Sequence, residues 1–254
     1  MPAPLVPIEI SSIYKKGGQR VFLPERMAHC TPDTKAALFA IKVEVERGGG
    51  QLYLSDLFRS FDMQFQAHLD FTSGRKTAFS PPPGGSLHEA GRAFDLSLED
   101  LKVTLKEFWT IAAKADVVPI IAEPKAGTSE SWHFECRGSH RQIYEYYKAG
   151  QGTNFDRPYK AMAASAILAV GIQVEQFKGK LDGAYVQSAL IRLGKTVGNM
   201  DGDIGPRSRD ALAELGLPRD AGPASLRPEL DKLLQAKFPN EFFDRTPVDD
   251  ALHA

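Results

Sequence analysis

The chain has 254 residues, 43% of them hydrophobic and 25% charged, an ordinary globular composition with room for one large domain or a catalytic domain and a small companion. A net charge of −1 provides no basic field for nucleic acid. Two cysteines, Cys30 and Cys136, are too few for a disulfide framework or a cysteine zinc cluster.

Taken in order, residues 1 to 30 carry several prolines and a Gly17-Gly18 turn, and read as an extended arm with a short hairpin. Met1 to Ile10 lacks the basic-then-apolar pattern of a secretory signal. Thr31-Pro32-Asp33 opens a helix, with apolar residues at Ala37, Leu38, Ile41 and Val45 in helical spacing. Gly48-Gly49-Gly50 ends it. Leu52 to Phe58 reads as a strand and residues 62 to 70 as a short helix. The prolines and glycines of 73 to 86 make a stiffened loop. Ala93 to Leu98 alternates, so Asp95 lies on the polar face of a strand whose reverse face, with Phe94 and Leu96, packs a core. Ser97 and Asp100 suggest the start of the next helix, running to about Ala115. Val117 to Ala122 and Ser131 to Cys136 follow as strands, and Ser139 to Lys148 as a helix. Gly150 to Pro158 is the best linker. Beyond it come helices at Tyr159 to Phe177, Ala184 to Leu193, Pro206 to Leu215 and Leu226 to Lys237. The most apolar stretch, Ala161 to Val174, is short for a membrane span and reads as a buried helix whose Ala163, Ala166 and Ala169 permit close packing.

The chemistry concentrates in two segments, Ser86 to Asp95 and Glu130 to Glu135. His88, Asp95 and His133 offer two imidazoles and a carboxylate, the donor count of a catalytic zinc site that keeps one position open. His88-Glu89 superficially suggests the helical His-Glu-x-x-His motif, but Arg92 stands where the second histidine belongs. Glu130 is a candidate general base beside a zinc-bound water. Glu135 shares the His133 face by strand parity, where it can orient a ligand or meet a substrate ammonium. Arg59 is a candidate partner for an oxyanion or a carboxylate. Each residue alone has a plainer reading. His29, His68, His140 and His253 are expected to be surface or hydrogen-bonded histidines, Trp132 and Phe134 core aromatics, and Cys136 a small buried residue.

Ser86-x-His88-x-x-Gly91-x-Ala93-x-Asp95, followed by Glu130-x-Trp132-His133, resembles the zinc D-alanyl-D-alanine carboxypeptidases and dipeptidases of VanY and VanX type. That family includes the L-alanyl-D-glutamate endopeptidases of phage lysins. The resemblance implies that His88, Asp95 and His133 bind Zn²⁺, that Glu130 is the base, that Arg59 is the arginine near the end of an early strand, and that Ser86 helps bind substrate. Asp56-Leu57-Phe58 departs from the Ser-Gly-Tyr that often precedes that arginine. Val186-Gln187 to Gly194, then Asp201-Gly202 to Leu212, is similar to the three-helix peptidoglycan-binding domain, without its usual aromatic-glutamine ending.

The fold expected is α+β: a small antiparallel sheet with packed helices carrying the zinc site (residues 1–155), then a small all-α domain (156–254). The function expected is hydrolysis of peptidoglycan stem peptides by a monomer with no membrane span. With no signal peptide, such a protein is made in the cytoplasm and reaches the wall by lysis or another export route, as an endolysin does. Removal of terminal D-Ala by a D,D-carboxypeptidase is the alternative specificity. A non-catalytic wall-binding protein with a structural zinc is the alternative from another class, although a closed structural site would want a fourth protein ligand.

Overall fold

The computed structural model describes residues 2–246; His253 lies outside them. In chain order the first elements are β1 (Val6–Pro7), β2 (Ser11–Lys16), β3 (Gln19–Phe22), β4 (His29–Cys30), α1 (Pro32–Arg47), β5 (Leu54–Asp56) and α2 (Phe61–Thr72). Then come β6 (Ala93–Leu96), α3 (Leu105–Lys114), β7 (Val117–Pro119), β8 (His133–Cys136) and α4 (Arg141–Lys148). The rest is helical: α5 (Pro158–Ala169), α6 (Leu181–Arg192), α7 (Pro206–Glu214), α8 (Pro223–Lys237) and α9 (Pro239–Phe242). No described helix is long and apolar enough to cross a membrane.

The chain divides into two compact units. One holds Phe61–Ala90 and Gly138–Pro239 with Pro2 and Ala3; the other holds Pro4–Ser60, Gly91–Arg137 and the described residues from Asn240.

The second unit is built on a six-stranded sheet in the order β3-β2-β5-β6-β8-β7. The mixed α/β character expected from the sequence is present, with one difference: β2 and β5 meet in parallel at Ser12 and Leu54, while the other neighbours are antiparallel. The long α1 segment between β4 and β5 carries the chain back across the unit, so β5 enters in the same direction as β2. Hydrophobic alternation directs Phe94 and Phe134 into the core, where they stack with ring centroids 6.0 Å apart. Phe108 of α3 meets Phe134 edge-on at 4.8 Å. Gly91 takes φ +60, and a Cβ there would lie 2.7 Å from Cys30 Cα, so only glycine lets this segment pass beside β4. Cys30 and Cys136 are buried free thiols, and burial pushes the Cys136 thiol up to about 12.

Several sequence-based boundaries move. The helix expected from Ser97 begins instead at Leu105, because Thr104 and Glu107 form the reciprocal capping box. The Asp100 carboxylate is drawn away to Ser97 Oγ at 2.6 Å and to Arg20 at 2.9 Å. Strand β7 stops at Pro119 rather than Ala122, on the edge of the sheet where a residue without an N–H is tolerated.

The first unit is largely helical. The apolar stretch from Ala161 is buried through Ala169, but the helix expected to reach Phe177 ends there. Gly171 turns the chain at φ +81, its N–H returning to the Leu168 carbonyl at 3.1 Å. Helix α8 begins three residues before the expected Leu226, with Pro223 in its first turn. Gln187 on α6 organises the following loop: its Oε1 accepts from Asp201 N at 2.9 Å and Gly202 N at 2.7 Å. His140 is fully buried and bonded to Ser165 Oγ at 2.8 Å, the hydrogen-bonded setting expected of it.

Candidate metal centre

Strands β6 and β8 pair in a register that sets Asp95 opposite His133, Phe94 opposite Phe134 and Ala93 opposite Glu135. Because side chains alternate along each strand, the two phenylalanines bury one face and the two polar residues share the other. Asp95 and His133 are 9% and 7% exposed, and His133 Nδ1 lies 2.8 Å from Asp95 Oδ1. His88 sits on a single 3-10 turn, Leu87–Ala90, and is buried. Among the described residues, His88, Asp95 and His133 form a group that can hold a metal ion, with one ligand atom of each within 4.8 Å of the others. A tetrahedral ion with bonds near 2 Å needs donors about 3.3 Å apart. Two imidazoles and a carboxylate suit zinc.

The surrounding charges are arranged against the group. Asp56 on β5 is the cross-strand neighbour of Asp95, and two carboxylates so placed repel each other. Arg59 bridges them, its Nε 2.6 Å from Asp56 Oδ2 and a terminal nitrogen 3.4 Å from Asp95 Oδ2. Burial works against the charge of the Arg59 guanidinium, yet Asp56 and Asp95, with Glu130 adding to them, hold its pKa above the usual arginine value. Glu135 is fully buried; its Oε2 accepts from Arg137 Nε at 2.9 Å, and its Oε1 lies 3.7 Å from His133 Nε2. Burial likewise opposes protonation of His133, but Asp95 and Glu135 outweigh it and lift the imidazole to about 10. A metal cation would replace the proton in that field.

Glu130 lies in the turn that leads into β8. Its carbonyl accepts from His133 N at 3.1 Å, and its backbone takes φ +66, a left-handed conformation that costs a non-glycine residue about 1 kcal/mol. Ser86 is 3% exposed, and its Oγ accepts from His88 N at 3.3 Å.

No family model matches the chain, and no curated protein matches it. Among solved structures it is similar to the LdcB LD-carboxypeptidase, whose structure was described for peptidoglycan recognition, at TM-score 0.40 and 18% identity over 53% of this chain and 68% of that one. It is similar to the L,D-carboxypeptidase DacB of Streptococcus pneumoniae at TM-score 0.34 and 22% identity, over 52% of this chain and 84% of that one. For DacB of Streptococcus pneumoniae D39 the score is 0.35 and the identity 19%, over 58% and 91% of the two chains. Likenesses of this strength fix no activity for this chain.

Two residues around the centre went unassigned in the sequence. Asp56, noted there only as a departure from the family pattern, is the closest carboxylate partner of Arg59, and its three-residue spacing to Arg59 was the available signal. Glu89 enters the sequence reading only through the helical zinc motif that Arg92 rules out, although Ser86-x-x-Glu89 is a capping-box pattern.

Proposed function

We propose that the chain is a zinc peptidase acting on the stem peptides of peptidoglycan. The observation that carries this reading is the buried His88, Asp95 and His133 group, set within the motif that resembles the VanY and VanX type. Bound zinc would supply a Lewis acid for the scissile carbonyl and a water with a pKa of about 7. Glu130 accepts the proton from the attacking water and returns it to the leaving amine. Arg59 orients Asp95 through their 3.4 Å contact and brings positive charge to the cluster where an oxyanion develops. Glu135, buried beside His133, orients that imidazole from behind. Ser86 helps bind substrate through its hydroxyl, and the helical segment 156–254 binds the wall. The protein acts as a monomer at the cell wall, as an endopeptidase or a carboxypeptidase.

Glu130→Gln tests the chemistry. The variant should bind zinc as the parent does and lose about 10²- to 10⁴-fold in hydrolysis of purified muropeptides, the usual contribution of a positioned base. Full activity in this variant would remove Glu130 from the mechanism. Mass spectra of the parent's products identify the bond: loss of a terminal D-alanine marks a carboxypeptidase, and release of the stem after L-alanine marks an endopeptidase. No product from any muropeptide, with zinc bound, would leave a wall-binding protein with a structural metal.

A further inference from the structure

Glu89 is a buried carboxylate with no part in the chemistry above. It is 1% exposed, and a carboxylate withdrawn from water is costly unless hydrogen bonds replace its hydration. Here backbone donors do so. Gly84 N lies 3.0 and 2.9 Å from its two oxygens, and Ser86 N donates to Oε2 at 3.2 Å. In return Glu89 N donates to the Ser86 carbonyl at 3.0 Å, and Ser86 Oγ accepts from His88 N. Ser86 and Glu89 therefore cap, from their side chains, a turn of only four residues, Leu87–Ala90. A turn that short has almost no hydrogen-bonded ladder of its own to keep it in place.

We propose that Glu89 is a positioning residue for the metal: it fixes the turn that carries His88 and so sets where that imidazole is presented. The inference rests on the zinc reading of the site. The Glu89 side chain touches neither ion nor substrate; it acts through the backbone of Gly84 and Ser86 and through the cap on His88. A second tie to the same loop provides a control. Gln64 on α2 donates to Ser80 Oγ at 2.9 Å and to the Pro81 carbonyl at 2.6 Å, holding the loop upstream of the turn.

The experiment uses the full chain freed of metal by chelation and titrated with Zn²⁺ against a chromophoric competitor. Co²⁺ absorption reports coordination geometry, and thermal melts of the metal-free proteins report folding. Glu89→Ala should bind Zn²⁺ about 10- to 100-fold more weakly, the usual cost of losing a residue that orients a ligand, with an altered Co²⁺ spectrum. Glu89→Gln keeps an acceptor for Ser86 N and should recover most of the affinity; it also carries the test if the alanine variant does not fold. Gln64→Ala should leave affinity and spectrum at the parental values. Parental affinity and spectrum in Glu89→Ala, or an equal loss in Gln64→Ala, would overturn the positioning role. Failure of the parent itself to bind Zn²⁺ or Co²⁺ would overturn the zinc reading, and this inference with it.

Discussion

The candidate ligands are held in two different ways. Asp95 and His133 face each other across β6 and β8, placed by a hydrogen-bonded ladder and by the phenylalanines on its reverse side. His88 stands on one short turn, placed by side chains that bond to the backbone around it. In the first region a ligand's position follows from strand register, so it resists any single surface change and yields only when the core does. In the second it follows from a few named hydrogen bonds, so it yields locally while the rest of the unit stays folded. Metal affinity and global stability should therefore respond together to damage in the ladder and separately to damage in the turn.

The largest expected effect comes from the ladder. Phe134 is fully buried between Phe94 and Phe108. Phe134→Ala should cost about 3–5 kcal/mol of stability through lost burial and the cavity left behind, read in denaturant melts of the metal-free protein. Zn²⁺ affinity should fall with it, because the neighbour on the same strand is His133. Lost stability with parental affinity would show that the ladder is not what places Asp95 and His133.

The turn should behave in the opposite way. Gly84 has φ +88, and a Cβ there would sit 3.4 Å from Val174 Cγ1. The space is adequate and the backbone conformation is the obstacle. Gly84→Ala should cost about 1–2 kcal/mol, the left-handed penalty for a residue with a Cβ. Straining the backbone N–H that Glu89 accepts should nevertheless weaken Zn²⁺ binding by more than so small a change in stability explains. Equal, proportionate losses of both would erase the distinction between the two regions.

The same contrast governs how much could be read beforehand. Alternation of Ala93 to Leu96 and of His133 to Cys136 shows in sequence, because strand parity is a local property; the face of Asp95 and the burial of Phe134 followed from it. Which residues stand opposite each other is a matter of register between segments far apart in the chain. For that reason the Asp56–Asp95 neighbourhood, and the place of Arg59 between the two carboxylates, were not visible. The parallel junction of β2 with β5 was hidden for the same reason. The helix start at Leu105 was misplaced because two capping patterns competed, and only the structure shows Arg20 drawing Asp100 away. The Ser86-x-x-Glu89 spacing is legible as a capping pattern, but that Glu89 also gathers the Gly84 N–H depends on the path of the preceding loop.

The smallest expected effect lies apart from both regions and sets a baseline for them. Lys35 and Asp244 pair at 3.0 Å, partly exposed, tying the end of the described chain to α1. Burial raises the Asp244 pKa, but hydrogen bonds from Lys35 and from Thr246 outweigh it and hold the carboxyl below its ordinary 3.8. A group whose folded value lies below its unfolded value stabilises the fold above about pH 3.8, and loses that contribution as the pH falls through the folded value. Solvent screening leaves such a pair worth a few tenths of a kcal/mol. Asp244→Asn should therefore be slightly less stable than the parent at pH 6, and the gap should close by about pH 2 in paired denaturant melts. Zn²⁺ affinity at neutral pH should be unchanged, since neither the ladder nor the turn includes this pair. A fall in affinity here would mean that metal binding follows any loss of stability, wherever it arises, and that the separate response expected of the turn has no foundation.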